Sequence, residues 1–212
     1  MQLIDLTIPI EHGMKSFPGE PGGFVMPFAD LATQGFVAHQ VLLYTHIGTH
    51  LDAPRHFLPD GEGVEAWPLE QLCGPAMVVR MRAGAQGPID IEDFVWPRPP
   101  QAGDRVLLAT GWGAHWGEED YFRAFPSLSL HLCTELASAR IALLGMDIPT
   151  PSEHEAQGVH EALLLRRVAV LEGLIRLDEL PGDFGELLCL PLLLQGLDGA
   201  PCRVAFRTEE QK

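Results

Sequence analysis

Apolar and polar residues alternate over Leu3-Ile-Asp-Leu-Thr-Ile8, the two-residue period of a half-buried strand. Seven further stretches read as strands: Ala38 to Tyr44, Ala76 to Met81, Arg105 to Ala109, Ile141 to Gly145, Val168 to Leu171, Glu186 to Pro191 and Cys202 to Arg207. Several are apolar on both faces, as interior strands covered by helices are. Helical patterning is rarer. It predicts a helix from Ser129 to Ala139 with Ser129 as its N-cap, a second from about Glu155 to Arg166, and a turn within Ile89 to Phe94. The 22 glycines and 18 prolines cut the chain often, so elements should be short and strands numerous. With no internal repeat, low-complexity tract or linker, the pattern predicts one α/β domain over residues 1–212.

Composition narrows the class. The chain is 46% hydrophobic and 20% charged, and its formal charge of -15 repels phosphate backbones and anionic membrane surfaces. Nucleic acid is therefore not an expected partner. The apolar stretch Leu187 to Leu194 is broken by Pro191 and falls far short of the roughly 20 residues of a spanning helix, so no membrane segment is expected. The N-terminus has strand patterning and no basic n-region, unlike a signal peptide, and the mature chain is expected to start there. Cysteines 73, 133, 189 and 202 are scattered without a C-x-x-C pair, which argues against a disulfide framework or a thiolate metal site and fits a reducing cytoplasm.

One segment departs from this ordinary picture. His46-Ile-Gly-Thr-His50-Leu-Asp52-Ala-Pro-Arg-His56 packs three histidines and an aspartate into eleven residues. Imidazole nitrogen with carboxylate oxygen and no cysteine is the ligand style of a catalytic zinc, or of a somewhat harder ion such as manganese. The four residues share one parity, but a straight strand rising about 3.3 Å per residue would spread them over more than about 30 Å. The chain must turn. Gly48 and Pro54 are placed to curl a loop leaving a strand at Tyr44, so that His46, His50 and Asp52 converge on one ion while His56 faces the same pocket. Three local ligands leave room for others. His160 on the second helix and Glu172 at the end of an apolar strand are the candidates, because a carboxylate entering a buried sheet is costly unless a cation neutralises it.

Other features carry less. Thr110-Gly-Trp-Gly-Ala-His-Trp-Gly117 follows a strand but is not a phosphate-binding loop, and its two tryptophans are equally readable as pocket wall or as packing. His115, His131 and His154 read as surface or hydrogen-bonded histidines, and Tyr121, Phe122 and Phe125 as core or interface.

The motif His46-x-Gly-Thr-His50-x-Asp52-x-Pro54-x-His56-Phe57 resembles the signature of the cyclase-like metal-dependent hydrolases, the group that includes bacterial kynurenine formamidase and isatin hydrolase. The resemblance continues through Phe17-Pro-Gly-Glu-Pro21, Gly145-Met-Asp-Ile-Pro149, Leu171-Glu-Gly-Leu174, Leu190-Pro191 and Asp198-Gly-Ala-Pro-Cys-Arg203. It implies a swivelling β/β/α fold and a homo-oligomer, a dimer or tetramer. In the formamidase branch two zinc ions are held by residues matching His46, His50, Asp52, His160 and Glu172, with the residue matching His56 serving catalysis, and the isatin branch uses manganese; zinc, as one or two ions, is the cofactor expected here. One position departs from the formamidase pattern, where Ser152 stands in place of an aspartate.

The chemistry expected is hydrolysis of a small amide, formamide or lactam. A bound divalent ion lowers the pKa of its water from about 15.7 toward about 7, and His56 would pass a proton to the leaving nitrogen. The chain has no G-x-S-x-G, which disfavours a covalent route. Two alternatives use the same residues: a metal-dependent lyase, dehydratase or cyclase with His56 as base, and a non-catalytic metal-binding protein.

Overall fold

Runs of apolar residues without a polar face must be covered on both sides, and the computed structural model, which describes residues 2–84 and 87–208, shows how. In chain order the elements are β1 (Leu3–Asp5), β2 (Phe24–Ala29), α1 (Leu31–Gln34), β3 (Ala38–Leu42), β4 (His50–Asp52), α2 (Leu69–Leu72), β5 (Gly74–Met81) and β6 (Phe94–Val95). There follow β7 (Arg105–Ala109), α3 (Leu130–Ser138), β8 (Leu143–Met146), α4 (Ala156–Leu164), β9 (Ala169–Glu172), β10 (Phe184–Pro191) and β11 (Gly199–Thr208). Strands β5, β7, β8 and β9 run parallel in that order, and Leu107, Leu108, Leu143, Leu144 and Val170 at their centre are fully buried.

Around this parallel centre the sheet closes on itself. β10 pairs antiparallel with β5, β11 with β10, and β11 also with β4, which pairs in turn with β9. The ten-residue β11 thus joins both ends of the strand path, with β1 continuing the edge that β4 begins, opposite β10. α3 starts at Ser129, whose hydroxyl accepts the Leu132 N–H at 2.9 Å, and it packs on α4. The buried face of α4 is Val159, His160, Leu163 and Leu164, so its apolar stripe carries one imidazole inward.

The predicted strands and helices all occur, with ends moved by a few residues. Three strands were not anticipated. β4 is too short and too closely flanked by Gly48 and Pro54 to show a period, so the segment expected to be one curled loop contains a three-residue strand. β2 holds Pro27, which argues against a strand in sequence; here it is accommodated by a register shift between Pro27 and Ala29. β6 is two residues long.

β2 and β3 form a separate two-stranded sheet that leaves apolar side chains in solvent. Phe24, Met26, Phe28, Leu31, Phe36, Val37, Val41 and Leu42 are each between 43% and 68% exposed. Among the described residues no helix is long and apolar enough to cross a membrane. All four cysteines are free.

Candidate metal centre

The pairing of β4 with β9 sets the site. His50 lies directly opposite Glu172 in the antiparallel ladder, and Asp52 is two residues along β4, so all three project from one face. A single ligand atom from each falls within 4.8 Å of the others. His46 reaches the same place from before the turn at Gly48, which has φ 62°, and His56 from the 3₁₀ turn that Pro54 begins. His46, Asp52 and His56 form a second such group, sharing Asp52. α4 supplies His160 from above.

Two close approaches hold this geometry. Gly173, directly after Glu172, has φ 65°, and a Cβ there would meet the Gly48 carbonyl oxygen at 2.5 Å. A Cβ on Gly199 of β11 would meet the His46 ring at 2.7 Å.

The ring nitrogens reveal what the cluster can hold. His50 donates its Nδ1 proton to the Gly48 carbonyl at 2.9 Å, and His160 donates its own to the Ala156 carbonyl at 2.6 Å. Each Nε2 is thereby turned to Glu172, His50 at 3.2 Å from Oε2 and His160 at 3.2 Å from Oε1. His46 lies between two carboxylates, Nδ1 at 2.9 Å from Asp52 Oδ1 and Nε2 at 2.9 Å from Asp198 Oδ2. Asp52 Oδ2 is buried and has no hydrogen-bond partner among the described residues, although His160 Nε2 stands 3.4 Å away. Imidazole lone pairs and carboxylate oxygens facing one another must have protons or a cation between them. This donor set of histidine nitrogen and carboxylate oxygen, with histidine Nδ1 atoms anchored on main-chain carbonyls, fits a divalent ion.

Electrostatics point the same way. Burial opposes charge on His46 and His160, yet the hydrogen bonds and charges of the carboxylates beside them prevail and raise their pKa values to about 9 and about 10. Burial also acts to raise Asp52 and Glu172, but the surrounding histidines hold Asp52 well below the usual range and Glu172 below it. His56 behaves differently. Burial lowers its pKa, and its ring stacks on His46 at 3.9 Å with Nδ1 3.7 Å from Asp198 Oδ2.

Above the centre opens a cavity of about 230 Å³, lined by His46, His50, His56, His160 and Glu172 on one side and by Phe17, Trp116, Tyr121 and Phe122 on another. For scale, an apolar cavity of about 150 Å³ takes a benzene ring. Phe122, expected to be core or interface, is cavity wall; Tyr121 borders the cavity but is buried at 1% exposure, as a core residue is, and Phe125 is core. Of the two tryptophans Trp116 lines the cavity, and Trp112 packs against the core with its indole N–H on the Tyr121 carbonyl. Ser152 also lines it, buried. His115 and His131 pair with Glu118 and Asp90 outside the site. Asp198 was not assigned a role from sequence: only the β11–β4 pairing brings it to His46 and His56.

These features define a protein with a buried cluster of histidines and carboxylates that fits a cation, beneath an aromatic-walled cavity. The model of the Cyclase family matches residues 4–152, and the chain belongs to that family. Its relatives include kynurenine formamidase of Bacillus cereus, 27% identical over 208 residues with 96% of each chain covered. A solved structure of a potential metal-dependent hydrolase with cyclase activity is 27% identical, with a TM-score of 0.83 and 99% of each chain covered. Isatin hydrolase A from Labrenzia aggregata shares the fold at 24% identity, with a TM-score of 0.83 and 98% and 94% of the two chains covered.

Proposed function

We propose that this protein is a metal-dependent hydrolase acting on the C–N bond of a small non-peptide amide, an arylformamide or a lactam. The observation that carries the reading is the convergence of two anchored imidazoles on two buried carboxylates at the floor of an aromatic cavity. His46, His50, Asp52, His160 and Glu172 would hold the cation. Zinc, as one or two ions, suits this nitrogen and oxygen set, with manganese the alternative. When bound, a divalent ion supplies polarisation of a carbonyl and a water whose pKa falls toward about 7.

The remaining work belongs to side chains. His56, half-buried at the cavity edge, is neutral at physiological pH because burial depresses its pKa, so it can accept a proton and return it to the departing amine. The aromatic wall orients a planar substrate and keeps water away from its ring. Among the described residues the cavity lining has no lysine or arginine but does include Glu20 and Glu153, which favours a neutral or cationic substrate over an anionic one. No serine or cysteine side chain among the described residues hydrogen-bonds to a histidine, which weighs against a covalent nucleophile.

The exposed apolar hairpin of β2 and β3 supports a homo-oligomer, with a second copy of the chain covering it. Eight large apolar side chains on β2, β3 and the segment between them stand between 43% and 68% exposed, and clustered apolar exposure of this kind marks an interaction surface. Four free cysteines support a reducing, cytoplasmic setting.

The test is a substrate panel of N-formylkynurenine, formanilide and isatin, assayed on chelator-stripped protein with zinc or manganese restored. Turnover restored by metal, with oxygen-18 from water entering the product, is the expected result. Protein that retains no divalent ion and gains no activity from either metal would falsify the reading, and turnover without incorporation would favour a lyase.

A further inference from the structure

Three imidazoles approach the buried carboxylates of the floor, and two of them are held alike. His50 and His160 each spend Nδ1 on a main-chain carbonyl and turn Nε2 inward to Glu172. His46 is the other way round. Its Nδ1 lies 2.9 Å from Asp52 Oδ1, and its Nε2 lies 2.9 Å from Oδ2 of Asp198, a residue outside both ligand groups. The Asp52 side chain is 1% exposed and that of Asp198 37%, so Nδ1 faces the interior of the centre and Nε2 its rim.

A flip of the ring does not exchange these roles. Turned by 180°, the ring would set carbons against both carboxylates and lose both contacts. It is also hemmed in, because a Cβ on Gly199 would meet Cε1 at 2.7 Å and Nε2 at 3.1 Å, and His56 stacks on it at 3.9 Å. Asp198 is fixed in turn. Its carbonyl accepts the Ala53 N–H at 2.9 Å, and Gly199 beside it pairs with Asp52 in the ladder of β11 and β4. The same Oδ2 stands 3.7 Å from His56 Nδ1, beyond hydrogen-bond range, so His46 is its partner.

We propose that Asp198 is a positioning residue for the cation site: by accepting the Nε2 proton of His46 it fixes that ring as an Nδ1 ligand, inverted relative to His50 and His160. A neutral imidazole carries one proton, and placing it on Nε2 leaves the free lone pair on Nδ1. The carboxylate also makes that lone pair more basic, which strengthens its hold on a cation. His46 is then the one ring of the three whose anchor is a side chain.

This inference rests on the metal-site reading, and neither of its readouts is turnover. In zinc-loaded protein carrying nitrogen-15 histidine, with the His46 ring signals assigned through bonds from its backbone, the proton should sit on Nε2 and the metal on Nδ1. Zinc affinity, measured by competition with a chromophoric chelator, should fall about 10- to 100-fold in Asp198→Ala. Asp198→Asn, whose amide oxygen still accepts a hydrogen bond, should restore most of it. A His46 ring bound through Nε2 with its proton on Nδ1 overturns the proposal and leaves the metal site standing, as does unchanged zinc affinity in Asp198→Ala. If the alanine variant does not fold, the ring signals of the wild type decide alone. A wild type that binds no zinc overturns the proposal and the metal-site reading together.

Discussion

The floor of the cavity and the β2–β3 hairpin depart from the usual partition of side chains in opposite directions. On the floor, two carboxylates and three histidines that a fold would ordinarily leave in water are buried. On the hairpin, apolar side chains that a fold would ordinarily bury are left in water. Each departure costs stability by itself, and each specifies what offsets it. Charge that must be neutralised calls for a cation, whereas apolar area that must be covered calls for another protein surface. The first can be satisfied within one chain; the second cannot.

The contrast can be broken most forcefully at Asp52, the carboxylate common to both ligand groups. Asp52→Asn should lose metal affinity by more than about a hundredfold, since even the outer partners of a ligand are worth 10- to 100-fold, and activity should fall with it. Elemental analysis of the purified variant checks this, and full occupancy would remove Asp52 from the ligand set. Next in size is His56→Asn, expected to keep its metal but lose about 10²- to 10⁴-fold in kcat/KM. Because the neutral ring is the active form and burial depresses its pKa, wild-type kcat/KM should rise with pH through a value below about 6.5. That limb should vanish in the variant; if it persists, another group titrates.

A smaller effect sharpens the role of charge on the floor. The raised pKa values of His46 and His160 contribute stability to metal-free protein below about pH 6.5, lost as pH climbs through about 9 to 10. The lowered values of Asp52 and Glu172 contribute above about pH 4.5, and that part is lost in acid. Metal-free protein should therefore melt highest between these limits, and the gain in melting temperature on adding zinc should widen as pH rises. Thermal scans with and without chelator from pH 5 to pH 10 decide it; a gain that shrinks toward alkaline pH would mean that the ion does not replace those protons. Smallest in catalysis is the hairpin. Phe28→Ser combined with Val41→Ser should shift sedimentation toward the monomer while kcat/KM stays within about twofold. An unchanged oligomer would show that the hairpin does not carry assembly.

How much of this was legible in the sequence depended on distance along the chain. The histidines and Asp52 could be read because they crowd one short segment, and Glu172 because a carboxylate ending an apolar strand is conspicuous. The interior strands were equally plain, being continuous apolar runs. Asp198 was hidden: its neighbour Gly199 meets Asp52 only through the antiparallel pairing of β11 with β4, and no local pattern encodes a register between segments so far apart. Phe122 looks like a core residue in sequence because wall and core demand the same apolar surface. β2 was masked by Pro27, whose missing N–H rules out a central strand but not one in a two-stranded sheet.

The anchors of His50 and His160 are main-chain carbonyls, at Gly48 and Ala156. Every residue type offers a carbonyl, so these anchors depend on backbone position, which Gly173 must leave clear, and not on side-chain chemistry. The cavity wall is built otherwise, from side chains such as Phe17, Trp116, Tyr121, Phe122 and Ser152, whose identity sets its shape. The molecule therefore divides into a part that resists drift and a part open to it. New substrates can be sampled by changing the wall while the reaction centre keeps its aim, which makes this architecture well suited to acquiring new specificities without first losing its chemistry.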